Sequence, residues 1–151
     1  MSQRTFPEAG KGTYVLLLRL TEPVTLTIGL LGRFDFLAGW YAYVGSAFGP
    51  GGLRGRLKHH LSPAQRPHWH IDYLRQVAPL QVVWYLASER ALEHTWSAAL
   101  QKLPGATVPA PRFGASDCRC AAHLIQLPDR PDLDAFRELV KGPVAYWPIT
   151  G

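Results

Sequence analysis

An α+β fold, with a small and mainly antiparallel sheet flanked by helices, is predicted by three features of this chain. Its first third consists of short apolar or alternating runs broken by Gly and Pro, the mark of strands. Three later segments place apolar residues at helical spacing. Strands and helices then alternate to the end, without an internal repeat, low-complexity tract or linker. At 151 residues, 47% hydrophobic and 18% charged, the chain suits one domain, with a core over about residues 10–141 and a C-terminal tail over 142–151.

Taken in order, Gly12 to Leu20 reads as a strand of Val and Leu. Val24 to Leu30 sets Val24, Leu26 and Ile28 against Thr25, Thr27 and Gly29, the period of a half-buried strand. With Glu22-Pro23 between them, these two are expected to pair as an antiparallel hairpin. Phe34 to Phe36 is a further aromatic stretch, and Trp40 to Ser46 is a strand expected to lie beside the first. Phe48 to Gly52 forms a loop, after which Leu53, Leu57 and Leu61 make an apolar helical stripe while Arg54, Arg56, Lys58 and His59 point elsewhere. Ser62 to Pro67 is a turn, and His68 to Arg75 has no clean period, so its backbone stays open.

Leu80 to Ala87 is another apolar strand. Ser88 suits a helix cap and Glu89 the positive end of that helix, whose buried stripe is Leu92, Trp96, Leu100 and Leu103. Pro104 to Gly114 forbids regular structure, and His123 to Leu127 is a short strand. Asp132 opens a last helix with Leu133, Phe136 and Val140 inward, ended by Gly142-Pro143. Tyr146 and Trp147 in the tail are free to pack on the domain or on a neighbour.

No apolar run approaches the roughly 18 residues that cross a bilayer, so no membrane partner is expected. The N-terminus has no secretory pattern, and Cys118 and Cys120 are too close for an unstrained disulfide; both point to a reducing, cytoplasmic setting. The formal charge of +5 is uneven: residues 1–75 hold nine Lys/Arg against four Asp/Glu, and residues 76–151 hold seven against seven. A basic half beside a balanced one is what a surface for nucleic-acid phosphate requires.

Gly12-Thr13-Tyr14 on the first strand, Tyr43-Val44-Gly45 on a later one, Arg56 behind the second triplet and Glu93 on a later helix together resemble the motif set of the GIY-YIG nuclease superfamily. A narrower resemblance spans most of the chain. Tyr43 to Ala47, the glycine-rich loop, His68 to Leu74 and Ser116-Asp-Cys-Arg-Cys-x-x-His123 look like a branch of unassigned function sometimes fused to endonuclease III-like glycosylases. The resemblance implies a GIY-YIG-like fold, a metal-dependent DNA endonuclease acting in repair or processing, a repair-protein partner, and Tyr14, Tyr43, Arg56 and Glu93 as its site. Thr13 and Val44 stand where the motif has Ile, and neither supplies a reacting group. The greater departure is that the chain contains no Asn, the amide that accompanies the glutamate in related nucleases.

The chemistry also follows from the residue types. Hydrolysis of a phosphodiester needs a base for water, positive charge for the developing phosphorane, and a metal or acid for the leaving oxygen. Tyr14 and Tyr43 on neighbouring strands can aim both hydroxyls at one face. A phenol near its free pKa of about 10 is a poor base, so a cation, Arg56 or a metal, is expected to lower it. Arg56 can grip phosphate with two hydrogen bonds. His60, one turn on, can help with phosphate or receive a proton. Gly45, Ser46, Gly52, Arg54 and Lys58 are the expected substrate contacts, with amides of the helix start pointing at the same anion. Glu93 can hold one Mg²⁺ or Mn²⁺, because one carboxylate with waters is enough.

Zinc is the other metal considered: Cys118, Cys120 and His123 with His68 or His70 offer thiolate and imidazole, although two residues between the cysteines would be the usual spacing. Asp72 is suited to orient a neighbouring histidine. Three functions therefore compete: a cleaving nuclease, a module that binds nucleic acid without cutting, and a zinc-stabilised interaction domain.

Overall fold

The computed structural model describes residues 10–62, 67, 69–113 and 123–149. In chain order its elements are β1 (Gly12–Leu20), β2 (Val24–Ile28), β3 (Gly32–Phe36), β4 (Gly39–Ala47), α1 (Gly52–Leu61), α2 (His70–Arg75), β5 (Leu80–Ala87), α3 (Glu93–Gln101), β6 (Leu124–Leu127), α4 (Leu133–Val140) and β7 (Ala145–Pro148). The fold is α+β, with a five-stranded antiparallel sheet in the order β6-β4-β1-β5-β7 and a separate β2-β3 ladder.

β1 is central because it is apolar on both faces. Gly12 to Leu18 are all buried, and a strand covered on both sides needs a layer above and below. On one face Tyr14, Leu16 and Leu18 meet Leu53 and Leu57 of α1, Ile71 and Leu74 of α2, and Ile28 and Phe36 of the small ladder. On the other, Val15, Leu17, Val44 and Trp84 meet Trp96 and Leu100 of α3 and Phe136 of α4. Each such side chain contributes about 1.5–3 kcal/mol through burial, so the two layers fix the sheet firmly between them.

Three expectations are corrected. β1 and β2 do not form a hairpin: both edges of β1 are taken by β4 and β5, and β2 pairs with β3 instead. Leu61 does not continue the buried stripe of α1; it is 45% exposed, and His60 turns inward at 2%. Ser88 does not cap α3, nor does Glu89 open it, because the helix begins at Glu93; the Ser88 hydroxyl instead accepts a bond from the Arg90 amide at 3.1 Å and closes a turn. The unassigned stretch after Trp69 is helical, as α2. Asp132 caps α4 as expected, accepting from the Asp134 amide at 3.1 Å. Residues 145–148 of the tail add β7 to the edge of the sheet, so Tyr146 and Trp147 lie alongside β5.

Candidate functional site

The two tyrosines are set by strand register. Tyr14 on β1 stands opposite Gly45 on β4, and Tyr43 stands opposite Leu16, so both rings rise from the same face of adjacent strands. Gly45 is needed for this: a Cβ there would lie 2.4 Å from the Tyr14 ring and hydroxyl. The loop that follows turns through Gly51, whose φ of 88° favours glycine, and launches α1 across the phenols. One helical face then delivers Arg56 and His60.

Nε2 of His60 lies 2.8 Å from the Tyr14 hydroxyl. The Arg56 charge also acts on Tyr14. The Arg56 guanidinium stacks over Trp69, 4.6 Å from its ring centre, and among the described residues it has no carboxylate within ion-pair distance. Its charge therefore remains available to an anion. Glu93 is the first residue of α3, on the opposite layer, yet its charge acts on both Tyr14 and Tyr43. Its carboxylate is one-quarter exposed and lies 3.8 Å from Nδ1 of the buried His123. Glu93 stands in the first turn of α3, so the helix dipole does favour its charge.

The electrostatics correct one expectation. Burial raises Tyr14 and Tyr43 above the ordinary phenol value, and although Arg56 pulls both down, desolvation wins. Neither is a phenolate near neutral pH. His60 is pushed down to about 3, chiefly by burial and then by the charges of Arg75 and His59, so it is a neutral imidazole and a weak base near neutral pH. Its Nδ1 is buried and has no hydrogen-bond partner among the described residues.

Asp72 organises the other side of α1. Although it is only 1% exposed, its carboxylate accepts from the Trp69 amide at 3.0 Å and from Arg75 at 3.1 Å, and lies 3.2 Å from Nε2 of His59. The expectation that Asp72 orients a histidine identifies its type but not its partner. His59 is thirteen residues away, on α1 rather than on the helix that carries Asp72. Trp69 stacks edge-on against His59 at 4.4 Å and packs on His60 at 5.6 Å, which makes it a shelf for both histidines and Arg56. No sequence periodicity marks Trp69 for this task.

The remaining predicted residues fall less tightly. Arg54 and Lys58 are exposed on α1, Ser46 is half-buried, Gly52 is buried, and Gly45 is buried beneath the Tyr14 ring. The helix start offers fewer amides than expected, since the Gly52 amide donates to the Gly49 carbonyl and that of Leu53 to Gly10. His70 packs on Phe113, and His123 sits beside Glu93 and His94. His68, Cys118 and Cys120 lie outside the described residues. The group of three potential metal donors found among the described residues is a different one, His59, His60 and Asp72. No described helix is long and apolar enough to cross a membrane.

Comparison with known proteins returns no match among curated proteins and none among solved structures. A family match does cover residues 13–142, a span that includes both tyrosines, Arg56, His60, Asp72 and Glu93: the chain belongs to the family described as Domain of unknown function DUF123.

Proposed function

We propose that this domain is a metal-dependent endonuclease of the GIY-YIG kind, hydrolysing DNA phosphodiester bonds in repair or processing. The observation that carries the reading is the meeting of Tyr14, Tyr43, Arg56 and His60 on one face of the sheet, with the Glu93 charge acting on both phenols. Arg56, stacked and with no acidic partner among the described residues, binds a non-bridging phosphate oxygen and meets the charge that grows there. Exposed Arg54 and Lys58 contact the flanking backbone.

Water is the nucleophile. Tyr14 takes its proton while passing its own to neutral His60 across the 2.8 Å contact, so no free phenolate is required beforehand. Asp72 favours the imidazolium that results, against burial and the charges of Arg75, His59 and Arg56, which hold the His60 pKa down. Tyr43 orients the phosphate or the water from the neighbouring strand. The surroundings of Glu93 fit a hard divalent ion: its carboxylate is partly open, and its neighbour His123 is kept toward the neutral form by burial. Bound there, Mg²⁺ or Mn²⁺ would supply Lewis-acid stabilisation of the leaving oxygen.

The test is incubation with supercoiled plasmid and with branched or nicked oligonucleotides, in Mg²⁺, Mn²⁺ or EDTA. Metal-dependent cuts that Arg56→Ala and Glu93→Gln both lose are the expected result. Activity that survives both substitutions would sink the reading. A second reading, a module that binds nucleic acid without cutting it, is favoured by the burial of both phenols, Tyr14 at 1% and Tyr43 at 8%. It predicts salt-sensitive binding lost in Arg56→Ala, without cleavage in any metal.

A further inference from the structure

We propose that His59, His60 and Asp72 form a binding site for a transition-metal cation of the zinc class, separate from Glu93. One ring nitrogen of each histidine and a carboxylate oxygen of Asp72 lie within 4.8 Å of one another. Nε2 of His59 and Oδ2 of Asp72 are 3.2 Å apart, which is the edge of a tetrahedron with metal–ligand bonds of about 2.0 Å.

The second observation is independent of that spacing. Nε2 of His60 is occupied by the Tyr14 hydroxyl, which leaves Nδ1 as its free nitrogen. That atom is buried, in a residue 2% exposed, and has no hydrogen-bond partner among the described residues. A buried polar atom without a partner is unfavourable, and coordination would satisfy it.

The surroundings are those of a supported ligand set. The Trp69 amide and Arg75 fix the Asp72 carboxylate, with Arg75 on Oδ1, while Trp69 packs against both imidazoles. Partners that hold the ligands in this way maintain a site's geometry. Two imidazoles and one carboxylate suit zinc or cobalt, with a fourth position for water, whereas magnesium prefers an all-oxygen shell. His59 is 37% exposed and gives the ion a route in from solvent.

An ion on Nδ1 would fix the His60 proton on Nε2, facing Tyr14, so the ion and the proton relay proposed above exclude one another. The test is therefore made without nucleic acid, and its outcome does not depend on whether the protein cleaves DNA. Chelator-treated full-length protein is titrated with Co²⁺, followed by visible absorption, and with Zn²⁺, followed by calorimetry. The expected result is one ion per chain with a tetrahedral cobalt spectrum.

His59→Ala should weaken binding at least about ten-fold while leaving the fold intact, because that side chain is partly exposed. Asp72→Asn should do the same, with circular dichroism checking its fold. Glu93→Gln and the double variant Cys118→Ser, Cys120→Ser should keep the native affinity. Failure of the native protein to bind either ion overturns the site. So does binding that survives His59→Ala or that disappears with the cysteines.

Discussion

His60 shows how one buried side chain ties stability to the proposed chemistry. Burial lowers its folded pKa from 6.5 to about 3, so as pH falls the unfolded chain takes up the proton first and stability is lost across that window. Between pH 7 and pH 4.5 this group alone should remove about 2–3 kcal/mol from the metal-free protein. His70 and His123, also lowered by burial, act in the same direction. Urea unfolding at the two pH values checks this: His60→Gln should lose distinctly less stability than the native chain, and equal losses would contradict the assignment. Gly45 makes a second residue-scale prediction. An alanine there meets the Tyr14 ring at 2.4 Å, so Gly45→Ala should cost about 1–3 kcal/mol in denaturant midpoint experiments, where an open strand glycine would gain stability. That Tyr14 and Tyr43 share one face could be read from their strands, because the strand period governs where such residues point. The pairing of Asp72 with His59 could not, because it joins two helices rather than following any period within one.

Helix caps give the clearest contrast at the scale of elements. Asp132 holds the Asp134 amide at the start of α4, so Asp132→Ala should cost about 1 kcal/mol. Ser88 has the same capping chemistry but closes a turn five residues before α3 begins, and Ser88→Ala should stay within about 0.5 kcal/mol. Thermal unfolding of the two variants distinguishes them, and equal losses would restore Ser88 as a cap. The stripe of Leu92, Trp96 and Leu100 announced α3 because burial of one helix face repeats at helical spacing. Its start was misread because Ser, like Asp, caps turns as readily as helices. The false β1-β2 hairpin has a similar cause. Pro23 marked a turn correctly, but the turn only changes direction, and partners are chosen by burial. β1, apolar on both faces, requires neighbours on both edges in the central sheet, whereas β2 exposes Thr25 and Thr27 and suits a peripheral ladder.

At the scale of the whole molecule the candidate residues come from both layers: α1 and α2 cover the phenols, while Glu93 opens α3 in the opposite layer and its charge acts on them. Such a site depends on the full sheet, including the edge strand β7. A chain ended after Lys141 would lose Val144, which is 1% exposed, the Arg137 bond to its carbonyl at 2.9 Å, and the pairing along β5. Its melting temperature should fall and its β5 edge should promote aggregation, as scattering during a thermal ramp would show; an unchanged melting curve would make the tail dispensable. The α+β architecture could be read from alternating strands and helices, but the placing of α1 and α2 on one face and α3 and α4 on the other could not, because no local pattern records which helix covers which face. The central claim is that Arg56 and Glu93, from opposite layers, serve one reaction. A double-mutant cycle on metal-dependent DNA cleavage tests it most directly, comparing kcat/KM for Arg56→Ala, Glu93→Gln and the pair. Residues acting as a unit predict that the double variant loses little beyond the worse single one. Losses that simply multiply, or a native protein that cuts no DNA in Mg²⁺ or Mn²⁺, would contradict the account.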